Sequence, residues 1–276
     1  MIHVTAPTDF AVNVHDGTSW PPRPSAQVVR WVGPTEPSVM GTNDEWRVAY
    51  ATGPQTIPNL VEWLVADDIS DSDGTDIGTW SAEVGNDATQ ATGGNQPTVR
   101  YSAVNGLKAV EFVAADSNWM DISAFLSGTT SEFTMCLVCK IDLTPQCNIL
   151  TQDASGYSGD LLFGINPGNN TEYNRMGVSS QSNGTPNGII NATHPSTADT
   201  ADYHLWTARR SAADGNLKLY LDGSWAASQT LASHYTITNR AWSLGRNGAA
   251  ADRYFDGRIA ELAIWEQAHT SSQLAA

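Results

Sequence analysis

Three groupings of side chains in this sequence have types and spacings that could do chemistry. Asp71-Ser72-Asp73-Gly74-Thr75-Asp76 puts carboxylates at alternating positions, the hard oxygen donors that wrap calcium. An EF-hand loop would also require an acid at position 69 and a bidentate glutamate at position 80, where Ile69 and Trp80 stand. Two readings stay open: a solvated acidic turn, which the missing donors favour, and a Ca²⁺ site on Asp71, Asp73 and Asp76. The second grouping is aromatic. Tyr157, Tyr173, Trp225, Tyr235 and Tyr254 lie near loops rich in Asn, Gly and Ser. Aromatic faces beside amides are what a saccharide needs for C–H stacking and hydroxyl recognition. Each ring taken singly also fits the role of a half-buried packing residue. The third grouping is Cys136, Cys139 and Cys147. As a zinc half-site, C-x-x-C lacks a second pair, since His194 and His204 follow no ligand spacing. Residues three apart on one strand point to opposite faces, so Cys136 and Cys139 are badly placed to bridge and read as packed free thiols. Gly156-Tyr157-Ser158-Gly159 lacks the spacing of a nucleophile elbow.

The elements that must position these groups are short and extended. Hydrophobic residues make up 41% of the 276 positions and charged residues only 16%, against roughly 25% in ordinary domains. The surface is therefore covered by Ser, Thr, Asn, Gln and Gly, which suit turns and strands. Fourteen Lys and Arg against twenty-nine Asp and Glu give 14 − 29 = −15, a field that repels phosphate backbones and argues against a nucleic-acid partner. No run of about 18 apolar residues provides a membrane helix, so no membrane insertion is expected. Met1-Ile2-His3-Val4-Thr5-Ala6-Pro7 lacks the basic and apolar regions of a Sec signal. The alternation predicts strands over Ala109–Val113, Phe133–Ile141, Asn148–Gln152, Leu161–Ile165, Arg175–Ser179, His204–Arg210, Leu217–Leu221, Trp242–Leu244 and Ile259–Trp265. Nine such segments at about ten-residue spacing, with no amphipathic helix between them, predict an all-β antiparallel sandwich. Asp222-Gly223 predicts a hairpin turn, and the uneven parity of Ile259, Leu262, Ile264 and Trp265 predicts a bulge. A short terminal helix is expected over Ser271–Ala276.

The first 58 residues read as a separate piece. They hold eight of the thirteen prolines, which excludes a central sheet or a long helix. Phe10–Val14, Val28–Val32 and Trp46–Tyr50 predict short strands, with Asp16-Gly17 as a turn. So small a piece has a weak core alone and is expected to dock onto a partner, with Trp20, Trp31 and Trp46 as anchors. The expected organisation is an N-terminal docking region, 1–58, and a sandwich, 59–276.

Several motifs carry a family resemblance. Tyr203–Arg209 followed by Gly215–Gly223, then Trp242–Arg246 and Phe255–Trp265, resemble the closing strands of laminin-G-like, concanavalin-A-like jelly rolls. Gly106–Phe112 and Asn118–Ile122 resemble the opening ones. Val61–Ile69, Thr79-Trp80, Asn86–Ala91 and the leader Trp31–Pro37 with Gly41–Trp46 are similar to segments of bacteriophage minor tail and fibre proteins. The resemblance implies a non-enzymatic virion protein, assembled in the host cytoplasm, whose partners are other virion proteins and host-surface glycan. Capsid decoration without a ligand, a carbohydrate-binding module and a glycosidase are the alternatives. The resemblance also allows rim-loop calcium at Asp116, Asp121 or Asp252, and a homo-oligomer, although no heptads demand one. Family members that hydrolyse glycans carry an E-x-D-x-x-E carboxylate cluster, which this sequence lacks; Glu261 and Glu266, five apart, would face oppositely on an unbulged strand.

Overall fold

The computed structural model describes residues 54–128, 132–142, 147–152, 160–165, 175–182, 185–193, 202–213, 216–230, 239–248 and 252–269. The chain divides into two units, Met1–Pro58 with Thr270–Ala276, and Asn59–His269. Within the first unit the described residues are those of the 3-10 turn Pro54–Thr56 and the two positions after it. Trp20, Trp31, Trp46, the three N-terminal strands and the terminal helix lie outside the described residues.

The second unit is built from strands. In chain order they are β1 (Leu60–Val65), β2 (Thr79–Trp80), β3 (Ala82–Val84), β4 (Ala88–Thr89), β5 (Thr98–Val104), β6 (Leu107–Phe112), β7 (Met120–Ile122) and β8 (Phe133–Ile141). They continue with β9 (Cys147–Gln152), β10 (Asp160–Ile165), β11 (Arg175–Ser182), β12 (Thr185–Thr193), β13 (His204–Arg210), β14 (Asn216–Leu221), β15 (Ser224–Thr230), β16 (Trp242–Leu244) and β17 (Gly257–Trp265). No helix among the described residues is long and apolar enough to cross a membrane. An eight-stranded sheet runs β12-β11-β10-β9-β16-β7-β4-β2. A nine-stranded sheet runs β15-β14-β13-β8-β17-β1-β3, with β6 beside β17 and β5 beside β6. The predicted all-β antiparallel jelly-roll sandwich is the fold observed.

Alternation builds the core. On β8, Phe133, Met135, Leu137, Cys139 and Ile141 are buried toward it, while Cys136, Val138 and Lys140 on the opposite face are only half-buried. They meet Leu64, Phe112, Trp206, Leu219 and Leu262 of the same sheet, and Trp80, Met120, Ile122, Leu150, Trp242 and Leu244 of the other. Two apolar faces closing on each other remove both from water, which drives the assembly. The predicted bulge falls on β17, where the register with β8 slips between Ile259 and Glu261. At that point the other edge of β17 changes partner, from β6 (through Ile259) to β1 (from Glu261). The extra residue lets one strand serve two neighbours. Asp222 (φ 49°) and Gly223 (φ 76°) both adopt the left-handed conformation of a type I′ turn, as the Asp-Gly pair predicts.

The sequence reading missed β12 and β15. Both are edge strands, and β12 carries Pro186, which an edge tolerates because one side of its backbone pairs with nothing. It also missed β1 to β5, most of them two to six residues long with polar interruptions.

Candidate functional site

The outward face of the eight-stranded sheet carries a row of polar side chains set by register. Thr79 stands opposite Thr89, Thr89 opposite Asp121, Asp121 opposite Ser243, and Ser243 opposite Thr151. Their neighbours Trp80, Ala88, Ile122, Trp242 and Leu150 alternate inward to the core. The row runs from exposed to buried: Thr79 and Thr89 are exposed, Asp121 is half-exposed, and Ser243 and Thr151 are fully buried. A register slip in β9 against β10 makes Ile149 an extra residue and brings Asn148 onto the same face as Thr151.

The buried hydroxyls of the row are satisfied, while Arg246 Nε has no hydrogen-bond partner among the described residues. Ser243 Oγ donates to Asp121 Oδ1 at 3.0 Å. Thr151 Oγ1 donates to the Arg246 carbonyl and accepts from the Gly248 amide, both at 3.0 Å, tying the loop after β16 to the row. Arg246 lays its guanidinium carbon 3.2 Å from the centre of the Trp119 ring and points Nη2 at Asp121 Oδ1, 3.6 Å away. The Asn148 side chain is fully buried, yet neither Nδ2 nor Oδ1 has a hydrogen-bond partner among the described residues. A buried amide left unpaired costs about 1–3 kcal/mol, which singles Asn148 out within the row. Donor, acceptor, hydroxyl and aromatic ring within one patch suit the hydroxyls and C–H faces of a saccharide. The row carries one carboxylate, Asp121, whereas retaining glycoside hydrolysis uses two about 5 Å apart.

The acidic loop sits elsewhere and is pinned to the β5–β6 hairpin. Asp73 Oδ1 accepts from the Tyr101 amide at 2.8 Å, Asp76 Oδ1 accepts from Thr98 Oγ1 at 2.7 Å, and Tyr101 Oη donates to the Asp71 carbonyl at 2.7 Å. Just before the loop, Lys108 Nζ donates to the Asp67 carbonyl at 3.0 Å and the Ile69 carbonyl at 2.6 Å, and lies 5.0 Å over the Tyr101 ring. Among the described residues no three His, Cys, Asp or Glu side chains are grouped to hold a metal ion. Asp116 lies in the 3-10 turn after β6, and Asp252 accepts from Asn247 Nδ2 at 3.1 Å beside the Arg246 loop.

Of the candidate aromatics, Tyr157, Tyr173 and Tyr235 lie outside the described residues. Trp225 is 65% exposed on β15, an edge of the nine-stranded sheet. Half-buried Tyr254 lies between Arg253, whose carbonyl accepts from the Asn148 backbone N–H, and Phe255, whose backbone N–H donates to the Gly245 carbonyl. The structure thus puts Tyr254 next to the row's loop and Trp225 on the other sheet. Cys136 and Cys139 are free and face opposite sides of β8; burial pushes the Cys136 thiol up to about 11 and Cys139 further still. Glu261 accepts from Trp63 Nε1 at 2.7 Å, and Glu266 from the Ser127 amide and hydroxyl at 2.6 Å, so the two act in separate contacts.

Sequence reasoning passed over Trp119, Asn148, Thr151, Ser243 and Arg246 as a site. The local signal was present, since Met120-Asp121-Ile122 and Trp242-Ser243-Leu244 each set a polar residue between two buried ones. Their convergence was not, because Asp121 and Ser243 lie 122 positions apart and meet only through sheet register. Two further charged features also escaped it. Glu62, on the core face of β1, is fully buried; desolvation, helped by nearby Asp87 and opposed by the Asn86 amide, raises its carboxyl to about 8. Glu111 is gripped by Arg100 and Arg258 at 2.6 Å each. Burial works against its ionisation, yet those hydrogen bonds outweigh it and hold the carboxyl below the usual range.

Two facing antiparallel sheets with a polar outer row define a lectin-like jelly-roll sandwich. Residues 114–275, more than half of the chain, match the family model described as the concanavalin A-like lectin/glucanases superfamily, and the chain belongs to that superfamily. No curated protein matches it. Among solved structures, domain 4 of an extracellular arabinanase from Geobacillus stearothermophilus, in complex with arabinotriose, is 18% identical with a TM-score of 0.52, over 79% of this chain and 97% of that one. The binding domain of a paraclostridial mosquitocidal protein is 14% identical with a TM-score of 0.55, over 79% of this chain and 51% of that one. The binding domain of botulinum neurotoxin DC, in complex with SialylT, is 10% identical with a TM-score of 0.52, over 79% and 50%. The chain spans about half the length of the last two.

Proposed function

We propose that this chain is a non-enzymatic bacteriophage virion protein whose sandwich binds saccharide on the host surface through the outer-face row. The observation that carries the saccharide reading is Asn148, buried with its side-chain amide unpaired among the described residues beside the Thr151, Ser243, Asp121, Arg246 and Trp119 constellation. Supporting it, two sandwiches of similar fold are complexed with arabinotriose and with SialylT. Tyr254 flanks the row's loop, Trp225 offers an exposed ring on the other sheet, and Tyr157, Tyr173 and Tyr235 stay candidates on the sequence alone. The virion reading rests on the tail-protein resemblance of Trp31–Pro37 and Val61–Ile69. Residues 1–58 dock to a neighbouring virion protein through Trp20, Trp31 and Trp46. The single carboxylate of the row supports binding without hydrolysis.

A glycan array probed with the full chain, with and without Ca²⁺, tests the saccharide reading. Binding that Asn148→Ala weakens tenfold or more, in a variant of unchanged melting temperature, is the expected result. Silence in both conditions would leave capsid decoration without a ligand as the surviving role. Binding that requires Ca²⁺ and is lost in Asp71→Asn/Asp73→Asn would move the site to the acidic loop.

A further inference from the structure

The charges of the outer-face row bear on which saccharides it takes, an inference that rests on the glycan-binding reading above. The whole chain carries 14 − 29 = −15, so an anionic ligand approaches against a repulsive field. At the row itself the half-exposed charge is a carboxylate: the Asp121 side chain is 49% exposed, beside the exposed neutral hydroxyls of Thr89 and Thr79. The cation next to it, Arg246, is 14% exposed and already committed to the Trp119 face and to Asp121. A neutral sugar meets this arrangement well. Its hydroxyls donate to Asp121 and exchange hydrogen bonds with Thr89 and Thr79, and nothing charged is left uncompensated. A sugar bearing a carboxylate or sulfate puts a second negative charge against Asp121, while the row's arginine is only 14% exposed and stacked on Trp119.

We infer that the row built on Asp121 selects neutral saccharides and rejects those carrying a carboxylate or sulfate. The test is calorimetric titration of the full chain with arabinotriose and with sialyllactose, alongside an array of neutral and acidic oligosaccharides, at low and at high salt. Neutral sugars are expected to bind at least tenfold more tightly than acidic ones of equal length, with the gap narrowing as salt screens the repulsion. Asp121→Asn keeps the shape of the residue and its acceptor for Ser243, and should close the gap by raising acidic affinity. Thr89→Lys, on the exposed strand β4, should do the same without touching Asp121. Equal or tighter binding of acidic sugars by the unaltered chain overturns the selectivity while leaving saccharide binding in place. A gap that both variants leave unchanged also overturns it. Silence across the whole array brings down the glycan-binding reading and the selectivity with it.

Discussion

Glu62 is a carboxyl on the core face of β1, with Oε2 accepting from the Asn86 amide at 3.1 Å and Oε1 without a hydrogen-bond partner among the described residues. The turn beside it is shaped to this side chain: Gly85 has φ 96°, and a Cβ there would collide with the Glu62 carboxyl and the Val61 carbonyl. With its folded pKa raised to about 8 from 4.5, the native protein holds a proton between those values that the unfolded chain has released. Stability is therefore highest below about pH 4.5 as far as this group is concerned. It declines as pH rises toward 8, by at most roughly 1.4 kcal/mol per pH unit. Glu62→Gln, which cannot ionise, should flatten that decline and be the more stable form at pH 8. Urea denaturation of both proteins at pH 5 and pH 8 checks it, and parallel pH profiles would contradict it. Nothing local to Val61-Glu62-Trp63 announced this group. Burial of the glutamate follows from β1 lying between β17 and β3.

Among the elements, β8, β13 and β16 have the ends that their alternation predicts, because each turns apolar residues of one face into the shared core. The Asp222-Gly223 turn was equally legible, since few sequences other than Asp-Gly or Asn-Gly accept two left-handed residues in succession. The acidic stretch was legible only as a loop. Its carboxylates suggest a cation, yet Asp73 and Asp76 accept from Tyr101 and Thr98, while Lys108, on a different strand, ties down the Asp67 and Ile69 carbonyls just before it. Lys108→Met should keep the packing of the stem while freeing the Asp67 and Ile69 carbonyls, costing about 1–2 kcal/mol of stability. Calcium titration of that variant, followed by its melting temperature, asks whether a metal can take the lysine's place. No rescue of stability by Ca²⁺ is the expected outcome, and full rescue would contradict it.

For the whole molecule, we propose that attachment and recognition are divided between the Pro-rich first 58 residues and the sandwich. A chain lacking residues 1–58 should remain folded by circular dichroism and retain its saccharide affinity, yet fail to enter particles when expressed during infection. Normal copy number of the truncated chain in purified virions would refute the docking role. The sequence by itself determined the class of the fold. Period-two alternation, Asp-Gly turns and the scarcity of charge are local properties, and each acts through neighbours one or two residues away. It also determined that Asp121 and Ser243 would sit between buried residues, hence on an outer face. What only the tertiary structure decided is which outward residues meet. Register between strands far apart in the chain assembled Thr89, Asp121, Ser243 and Thr151 into one row, slipped Asn148 in beside them, and turned Arg246 over Trp119. Those pairings follow from closing two sheets over one core, a constraint that acts on the whole chain at once and leaves no mark in any short stretch of it.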